Sequence, residues 1–343
     1  MTTSKELVKQ AIEFRHPERV PYNFDSNRTP VIAEKYGDDF EWVFATQDPD
    51  FKPRVNEELR FENEFGVIFE RINTSHGEPR EYPLADLSKV KDYRLPDFTK
   101  PVRYLEMERV VKENPDKYIM GMFPHFLFMV MIDLYGFENF MMAFYDDREG
   151  VERLADQLTE SCLKVVDCFA DRGADGIIAI EDLGLQSQMM IHPDLWREIF
   201  KPRMAKIVKR CHERKLHFLI HTCGGILDVI EDYIEVGVDV LQIDQQDNMG
   251  IDELSRRYQG RICFFCPVDI QTTLPVGSLE QIEAAARHLI RAFSTEAGGF
   301  LAKTYPQPDS IQIPEANTRH MCEVFKKYGR YPLEGTANTG TRH

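Results

Sequence analysis

Residues 172–181 read RGADGIIAIE, and this stretch decides how we interpret the fold. Gly173 is placed to end a helix, because glycine adopts without strain the left-handed conformation in which many helices stop. The apolar run that follows is short enough to be a buried strand of a parallel sheet. A helix that ends in glycine and leads at once into such a strand is typical of a repeating β/α unit.

The same junction occurs twice more, at residues 236–239 (VGVD) and 297–299 (AGG). Each glycine again lies between a segment of helical periodicity and a short apolar run. Short strands that alternate with helices predict parallel β/α units. Six apolar runs fit this pattern: residues 118–123, 175–181, 216–221, 238–244, 262–266 and 299–303.

The N-terminal third of the sequence is less regular. Thr3 and Glu6 form a capping box, which predicts a helix at the start of the chain. Residues 19–25 (RVPYNFD) and 66–72 (GVIFERI) are two further strand candidates. We interpret residues 26–117, about a quarter of the chain, as an N-terminal elaboration and not as a separate domain.

The strand candidates number eight, which favours a closed (β/α)8 barrel, the TIM barrel of the α/β class, formed by residues 1–343 as one domain. An open, doubly wound sheet is the alternative. No G-x-G-x-x-G sequence follows any strand candidate, so the nucleotide-binding fingerprint common in such sheets is absent. The sequence therefore predicts a barrel with its chemistry at the carboxyl ends of the strands.

The composition indicates a soluble globular protein. Of 343 residues, 43% are hydrophobic and 29% are charged, and 42 basic against 57 acidic residues give a formal net charge of −15. This charge argues against nucleic acid or a membrane surface as a partner, because both are anionic. The start of the chain lacks a secretory signal and no apolar run is long enough to span a bilayer, so we expect a cytoplasmic protein. Seven scattered cysteines, an odd number, suggest free thiols in a reducing compartment.

The segments that follow the predicted strands are rich in polar and metal-binding side chains. In a barrel these segments meet at one mouth, where they can form a single site. The candidates are Asn23, Asp25, Met122, His125, Glu181, Asp182, His221, Cys223, Asp244, Gln245, Gln246, Cys266, Asp269, Gln271, Lys303 and Tyr305.

His221 and Cys223 lie at the end of one predicted strand, in the sequence HTCGG. Residues two apart on a strand point to the same face, so imidazole and thiolate can face the mouth together. This pair of ligands suits Zn²⁺. The alternative is that His221 is a hydrogen-bonded core residue and Cys223 a small buried hydrophobic one.

Two residues, Cys266 and Glu181, are candidates for the third metal ligand. Cys263 and Cys266 are three apart, so they point to opposite faces of their strand, and Cys266 lies closer to the strand end. Glu181, at the end of another strand, would supply a carboxylate instead. Either set leaves one position of a tetrahedral zinc free, as a catalytic site requires.

Several segments, in order, resemble the uroporphyrinogen decarboxylase superfamily, whose fold is a (β/α)8 barrel. The resemblance runs from about residue 4 to residue 329. It is carried by the segments KELVKQAIEFRHPERVPYNFD (5–25), GFENFMMAFYDDREGVERLADQLTE (136–160), IEDLGLQSQMMIHPDLWREIFKPRMAKIV (180–208), HTCGG (221–225), PVDIQTTLPVGSLEQI (267–282), GGF (298–300) and PEAN (314–317).

Two branches of that superfamily compete. The decarboxylases carry an arginine-rich motif after the first strand and a histidine near the last one, and residues 23–33 and 303–317 contain neither. Arg28 alone would clamp a substrate with many carboxylates poorly. The zinc-dependent methyltransferases that work with corrinoid proteins typically have H-x-C after a middle strand, as at residues 221–223. Their later cysteine often follows the last strand, where this chain has residues 304–306 (TYP), and this leaves Cys266 or Glu181 as the third ligand.

The resemblance implies a methyltransferase that moves a methyl group from a small methylated substrate, expected to be an aryl methyl ether, to the corrinoid of a separate protein. The alternatives are a decarboxylase of porphyrin biosynthesis and a noncatalytic ligand-binding barrel. The sequence leaves the oligomeric state undecided, with a homodimer as one option.

The chemistry also assigns roles to other side chains at the mouth. Tyr305, Asp269 and Asp182 are predicted to protonate or orient the departing oxygen. Neutral and apolar groups would bind a small substrate of this kind. The predicted substrate-binding residues are Asn23, Asp25, Met122, His125, Gln242, Gln245 and Gln271.

Overall fold

The computed structural model describes residues 2–24, 30–71 and 77–333. Eight parallel strands, labelled β1 to β8, form a nearly closed barrel surrounded by helices, and the predicted (β/α)8 fold is confirmed. The strands are Tyr22–Asn23, Phe40–Phe44, Tyr118–Met122, Gly176–Ile180, His217–His221, Val240–Gln242, Cys263–Cys266 and Phe300–Lys303.

The six apolar runs of the sequence correspond to β3 through β8, and residues 19–25 contain β1. The prediction that residues 66–72 supply a barrel strand is wrong. The strand Ile68–Glu70 instead lies in a separate antiparallel sheet between Arg60–Glu62 and Glu78–Glu81. The missing barrel strand is β2, which pairs with β3 in parallel register.

Asp39, immediately before β2, contacts β1, and these two strands are the first and the last in the order of the barrel sheet. Its backbone N–H donates to the carbonyl of Tyr22 at 2.8 Å, and its carboxylate accepts from the Tyr22 N–H at 2.7 Å. Arg19 donates to the same carboxylate at 2.7 and 2.8 Å. A partly buried ion pair and these backbone contacts therefore hold β1 beside β2, which are the two ends of the strand order.

The helices surround the barrel, and the glycine junctions have the predicted geometry. Gly173 and Gly237 have φ values of +88° and +91°, in the left-handed region. The helices, α1 to α13, are Ser4–Ile12, Pro30–Tyr36, Leu105–Glu113, Phe128–Tyr135, Phe137–Asp146, Arg148–Asp171, Pro193–Ile199, Lys201–Glu213, Ile230–Val236, Ile251–Tyr258, Thr273–Val276, Leu279–Phe293 and Glu315–Tyr328.

Helix α1 begins as the capping box predicts, with the Thr3 hydroxyl accepting from the Glu6 N–H at 3.2 Å. Its apolar face closes the amino-terminal end of the barrel. Val8, Ala11 and Ile12 are buried against the side chains that fill the barrel interior. Lys5 and Lys9, on the same helix, form ion pairs with Asp175, which directly precedes β4, at 3.0 and 2.8 Å.

None of the helices within residues 2–24, 30–71 and 77–333 is long and apolar enough to cross a membrane. All seven cysteines are free thiols, as the odd cysteine count suggests. In the described part of the chain, four short 3₁₀ helices lie in the connections, at Leu87–Lys89, Pro101–Tyr104, Gln246–Met249 and Pro308–Ile311.

Candidate active site

The carboxyl ends of the strands surround a cavity of about 910 Å³. Its walls combine apolar side chains, such as Trp42, Ile178 and Phe265, with polar groups from nearly every strand end. This mixture is typical of a small-molecule site. The predicted site residues that line the cavity are Asn23, Met122, Asp182, His221, Cys223, Gln242, Asp244, Gln245, Gln271, Lys303 and Tyr305.

His221, Cys223 and Asp182 form a compact group in the cavity wall, with one ligand atom of each within 4.8 Å of the others. The Cys223 Sγ atom lies 3.5 Å from the His221 Nε2 atom. An Asp182 carboxylate oxygen lies 3.5 Å from that same nitrogen. The carboxylate also accepts from the Cys223 N–H at 3.0 Å, which ties the loop after β4 to the loop after β5.

These separations fit a zinc ion. With Zn–N and Zn–O distances of about 2.0–2.1 Å and a Zn–S distance of about 2.3 Å, tetrahedral ligand atoms lie roughly 3.4–3.6 Å apart. The donor set of imidazole, thiolate and carboxylate also suits zinc. Burial raises the pKa of the Cys223 thiol, as do the nearby Asp182 and Asp244 carboxylates. A bound cation would therefore be needed to hold this residue as a thiolate.

Glu181 does not join this group, because it points to the other face of its strand. Its carboxylate is buried and accepts from the backbone N–H groups of Leu127, Phe128 and Met129 at 2.8–3.2 Å. These donors lie at the start of α4, where the helix dipole favours an anion. Burial nevertheless raises the pKa of Glu181 to about 8. The predicted alternative ligand is thus a cap for α4, and its neighbour Asp182 faces the cavity.

Cys266 is likewise directed away from the mouth. It packs in the layer between barrel and helices with Phe264 and Ala302, whereas Cys263 and Phe265 fill the barrel interior. Alternation along β7 therefore separates the two cysteines as predicted, but it places Cys263 on the inner face, deep below the mouth. Burial raises the pKa of the Cys266 thiol as it does that of Cys223, so its position, and not its pKa, separates Cys266 from the group at the mouth.

We expect Asp182→Asn to weaken zinc binding by about 10-fold or more, because it replaces an anionic ligand with a neutral amide. Glu181→Gln and Cys266→Ala serve as matched variants, since both original side chains lie outside the triad. Their zinc affinity, measured by competition with a chromogenic chelator, should stay within about threefold of the wild type. A larger loss for Glu181→Gln than for Asp182→Asn would assign the third ligand to Glu181 instead.

The two glycines after Cys223 let the loop after β5 lie directly against the loop after β4. A Cβ atom on Gly224 would come within 2.3 Å of the Leu185 carbonyl oxygen, and one on Gly184 within 2.4 Å of the Cys223 carbonyl oxygen. The Gly225 N–H donates to the Leu185 carbonyl at 2.7 Å. The glycines of HTCGG thus bring Cys223 beside Asp182.

Three polar side chains continue inward from His221. The Nδ1 atom of His221 lies 2.5 Å from the Gln242 amide oxygen. The Gln242 amide nitrogen donates to Asp244 at 2.7 Å, and the Lys303 ammonium donates to the same carboxylate oxygen at 2.7 Å. Gln242 is predicted from the sequence to bind substrate, and in the structure it also contacts His221.

The two other predicted acids occupy different environments. Tyr305 lines the cavity, and burial together with the Asp244 carboxylate raises the pKa of its phenol. Asp269 instead closes a turn: its carboxylate accepts from the N–H groups of Gln271, Thr272 and Thr273 and from the Thr272 hydroxyl. Burial alone would raise its pKa, but these hydrogen bonds lower it. Tyr305 is therefore the better placed proton donor.

The remaining predicted substrate residues have mixed outcomes. Trp42 donates through its indole N–H to the Asn23 amide oxygen at 3.3 Å, in the cavity wall. The Gln245 amide oxygen accepts from the Gly224 N–H at 2.8 Å. Asp25 lies outside the described residues.

His125 is buried behind the barrel and not at the mouth. Its ring stacks on Phe98, with the centroids 4.8 Å apart, and meets the edge of Phe65. The nearest polar neighbour of its Nε2 atom is the Cys162 sulfur at 3.7 Å. Burial lowers the pKa of His125 to about 3, so the ring is neutral in the folded protein at ordinary pH.

This histidine should make the fold sensitive to acid. The folded pKa of His125, about 3, lies below the ordinary value of 6.5. The contribution of the neutral ring to the free energy of unfolding is therefore fully present above pH 6.5 and is lost as the pH falls toward 3. Between pH 7.5 and pH 5, we expect the histidine to lower the free energy of unfolding by about 2 kcal/mol. His125→Phe should lack this decrease in urea titrations at the two pH values. Equal pH dependence of variant and wild type would contradict this expectation.

Comparisons with known proteins place these observations in a family. The model of the family described as uroporphyrinogen decarboxylase (URO-D) matches residues 65–328. Among solved structures, a methyltransferase from Methanosarcina mazei aligns over 96% of this chain and 99% of its own, with a TM-score of 0.71 and 17% identity. The IOLI protein with a binding zinc atom aligns over 90% of this chain and 99% of its own, with a TM-score of 0.45 and 10% identity. The comparison with curated proteins finds no match.

Proposed function

The chain belongs to the uroporphyrinogen decarboxylase family, and from this premise we propose that it is a zinc-dependent methyltransferase. In this proposal, it transfers a methyl group from a small methylated substrate, an aryl methyl ether, to a corrinoid carried by a partner protein. The observation that carries the proposal is the group of His221, Cys223 and Asp182 in the wall of the mouth cavity. The structural similarity to the M. mazei methyltransferase supports it at the level of the fold.

The charge of the cavity favours this activity over decarboxylation of a porphyrinogen. Among the described residues that line the cavity, the one Lys or Arg is Lys303, and its ammonium is already paired with Asp244. A porphyrinogen carries many carboxylates and requires several cationic partners. A neutral aromatic ether requires apolar walls instead, and Trp42, Met122 and Phe265 provide them.

In the proposed cleavage of a methyl ether, different side chains of the cavity have different roles. His221, Cys223 and Asp182 would hold the zinc ion. Zinc, when bound, supplies Lewis acidity that stabilises the negative charge developing on the ether oxygen. A phenol of ordinary pKa, about 10, is protonated at neutral pH, and the raised pKa of Tyr305 leaves it so, which lets Tyr305 donate a proton to the departing phenolate oxygen. The methyl carbon–oxygen bond would break with its electron pair remaining on the oxygen, and the partner's reduced corrinoid would supply the nucleophile that accepts the methyl group.

The test combines metal analysis with an assay of methyl transfer. Purified protein should contain about one zinc per chain, and it should form methylcobalt, followed by absorbance, from a reduced corrinoid protein and at least one of a panel of methoxylated aromatics. Conversion of uroporphyrinogen to coproporphyrinogen without methylation of any corrinoid would support the decarboxylase instead. A folded, metal-free protein that binds a ligand without turnover would support a noncatalytic barrel.

A further inference from the structure

A buried chain of hydrogen bonds runs from Lys303 through Asp244 and Gln242 to His221. Its three links measure 2.7, 2.7 and 2.5 Å. The first three side chains are almost fully removed from solvent, since Lys303, Asp244 and Gln242 are 6%, 3% and 5% exposed. Three polar groups are thus buried in a row that ends on a candidate metal ligand.

The chemistry of this chain fixes the direction of every hydrogen bond. An ammonium group can only donate, and an ionised carboxylate can only accept. Because Asp244 accepts from the Gln242 amide nitrogen, the amide oxygen of Gln242 must face His221. That oxygen can only accept, so the Nδ1 atom of His221 carries the ring proton. In the neutral ring the lone pair is then on the Nε2 atom, which faces the Cys223 sulfur and an Asp182 carboxylate oxygen at 3.5 Å each.

We propose that Gln242, Asp244 and Lys303 are positioning residues that hold His221 in the one tautomer able to bind a metal through Nε2. This inference rests on the zinc site of the proposed function and adds the groups that prepare it. Outer partners of this kind fix the orientation of metal-bound histidines, and their loss typically costs 10- to 100-fold in metal affinity.

A purely structural role explains the chain less well. Replacing a buried ion pair by apolar residues of similar volume is often neutral or stabilising, so folding alone gives little reason to bury Lys303 and Asp244. The pair does, however, remove the ambiguity of an amide. Without an acceptor-only neighbour, Gln242 could rotate its amide group and present nitrogen to His221. The opposite tautomer would then be favoured, with a proton on Nε2 in place of the lone pair.

The experiment reads the tautomer directly in metal-free protein. Long-range ¹H–¹⁵N correlation spectra of histidine-labelled protein distinguish the two tautomers, and His221→Ala assigns the signal. We expect the Nδ1–H pattern in the wild type, and its loss or mixing with the other tautomer in Gln242→Met. Asp244→Asn keeps the size of the side chain but can donate as well as accept, so it should also produce a mixture. Gln271→Met is the matched control, because Gln271 lines the same cavity and its side chain contacts none of the three ligands in the described hydrogen bonds.

Zinc affinity, measured by chelator competition, provides the second readout. We expect Gln242→Met to weaken binding by about 10- to 100-fold and Gln271→Met by less than about threefold. An unchanged tautomer and affinity in a folded Gln242→Met protein would overturn the inference. Asp244→Asn provides the same decision if Gln242→Met does not fold. Neither readout requires substrate, so a protein that keeps these effects but transfers no methyl group would refute the proposed function alone.

Discussion

Cys223→Ala is expected to reduce bound zinc from about one per chain to below about 0.1. Loss of the thiolate leaves one imidazole and one carboxylate, and two ligands hold zinc far more weakly than three. We expect the rate of methyl transfer to fall by about 1000-fold or more, since the metal is asked to supply several kcal/mol and each 1.36 kcal/mol is a factor of ten. Elemental analysis after gel filtration and the methylcobalt assay measure the two effects.

Cys168→Ala is the matched control for this experiment. Cys168 is a half-buried free thiol like Cys223, but it lies on helix α6, outside the barrel mouth. Its zinc content and activity should equal those of the wild type. Unchanged zinc content in Cys223→Ala, with the fold intact by circular dichroism, would mean that the H-x-C pair has a structural role only.

Lys303→Met is expected to lower the free energy of unfolding by about 3 kcal/mol or more. The lysine and Asp244 are buried together, with side chains 7% and 5% exposed, and removal of the cation leaves a carboxylate in a site of low dielectric. The double variant Lys303→Met with Asp244→Asn should recover most of the loss, because neither charge then remains. Urea titration of the three proteins measures these differences.

Lys35→Met is a suitable comparison for the same measurement. The Lys35–Glu323 pair spans 3.5 Å with both side chains more than half exposed, and such surface pairs contribute little. We expect no measurable change in stability. An equally small change in Lys303→Met would show that Asp244 is adequately solvated or protonated without its partner.

The regular part of the barrel could be predicted because its strands are buried on both faces. Their apolar runs and the glycines that end the preceding helices are local signals, and six strands were found from them. Strand β2 gives no such signal. Trp42 and Phe44 line the open cavity, and Glu41 pairs with Lys117 at 2.8 Å. The sequence of a strand with a partly solvated inner face mixes apolar and charged residues, so it does not show the apolar run of a buried strand. The segment around Ile68–Glu70 has a more strand-like sequence than β2, although it lies outside the barrel.

The same property explains why Glu181, and not Asp182, is predicted from the sequence as a candidate third metal ligand, whereas the structure groups Asp182 with His221 and Cys223. Residues 176–180 are apolar throughout, so the pattern does not reveal which face is inward, and Glu181 and Asp182 are equally good candidates on sequence alone. Register decides: Ile178, Ile180 and Asp182 line the cavity. The pairing of His221 with Cys223 needs only the two-residue period of a strand, so that part of the site was accessible from the sequence.

The closure of one barrel end by helix α1 affects the order in which substrates bind. Because this helix closes the amino-terminal end of the barrel with Val8, Ala11 and Ile12, and apolar side chains fill the interior beneath the cavity, the entrance that the described residues leave to the cavity lies at the carboxyl ends of the strands. A protein partner seated over that entrance would trap a small substrate already inside and exclude one still outside. Under the proposed function we therefore expect compulsory-order kinetics, in which the methyl donor binds first and its demethylated product leaves last. Inhibition by the demethylated product should then be competitive toward the methyl donor and noncompetitive toward the corrinoid protein.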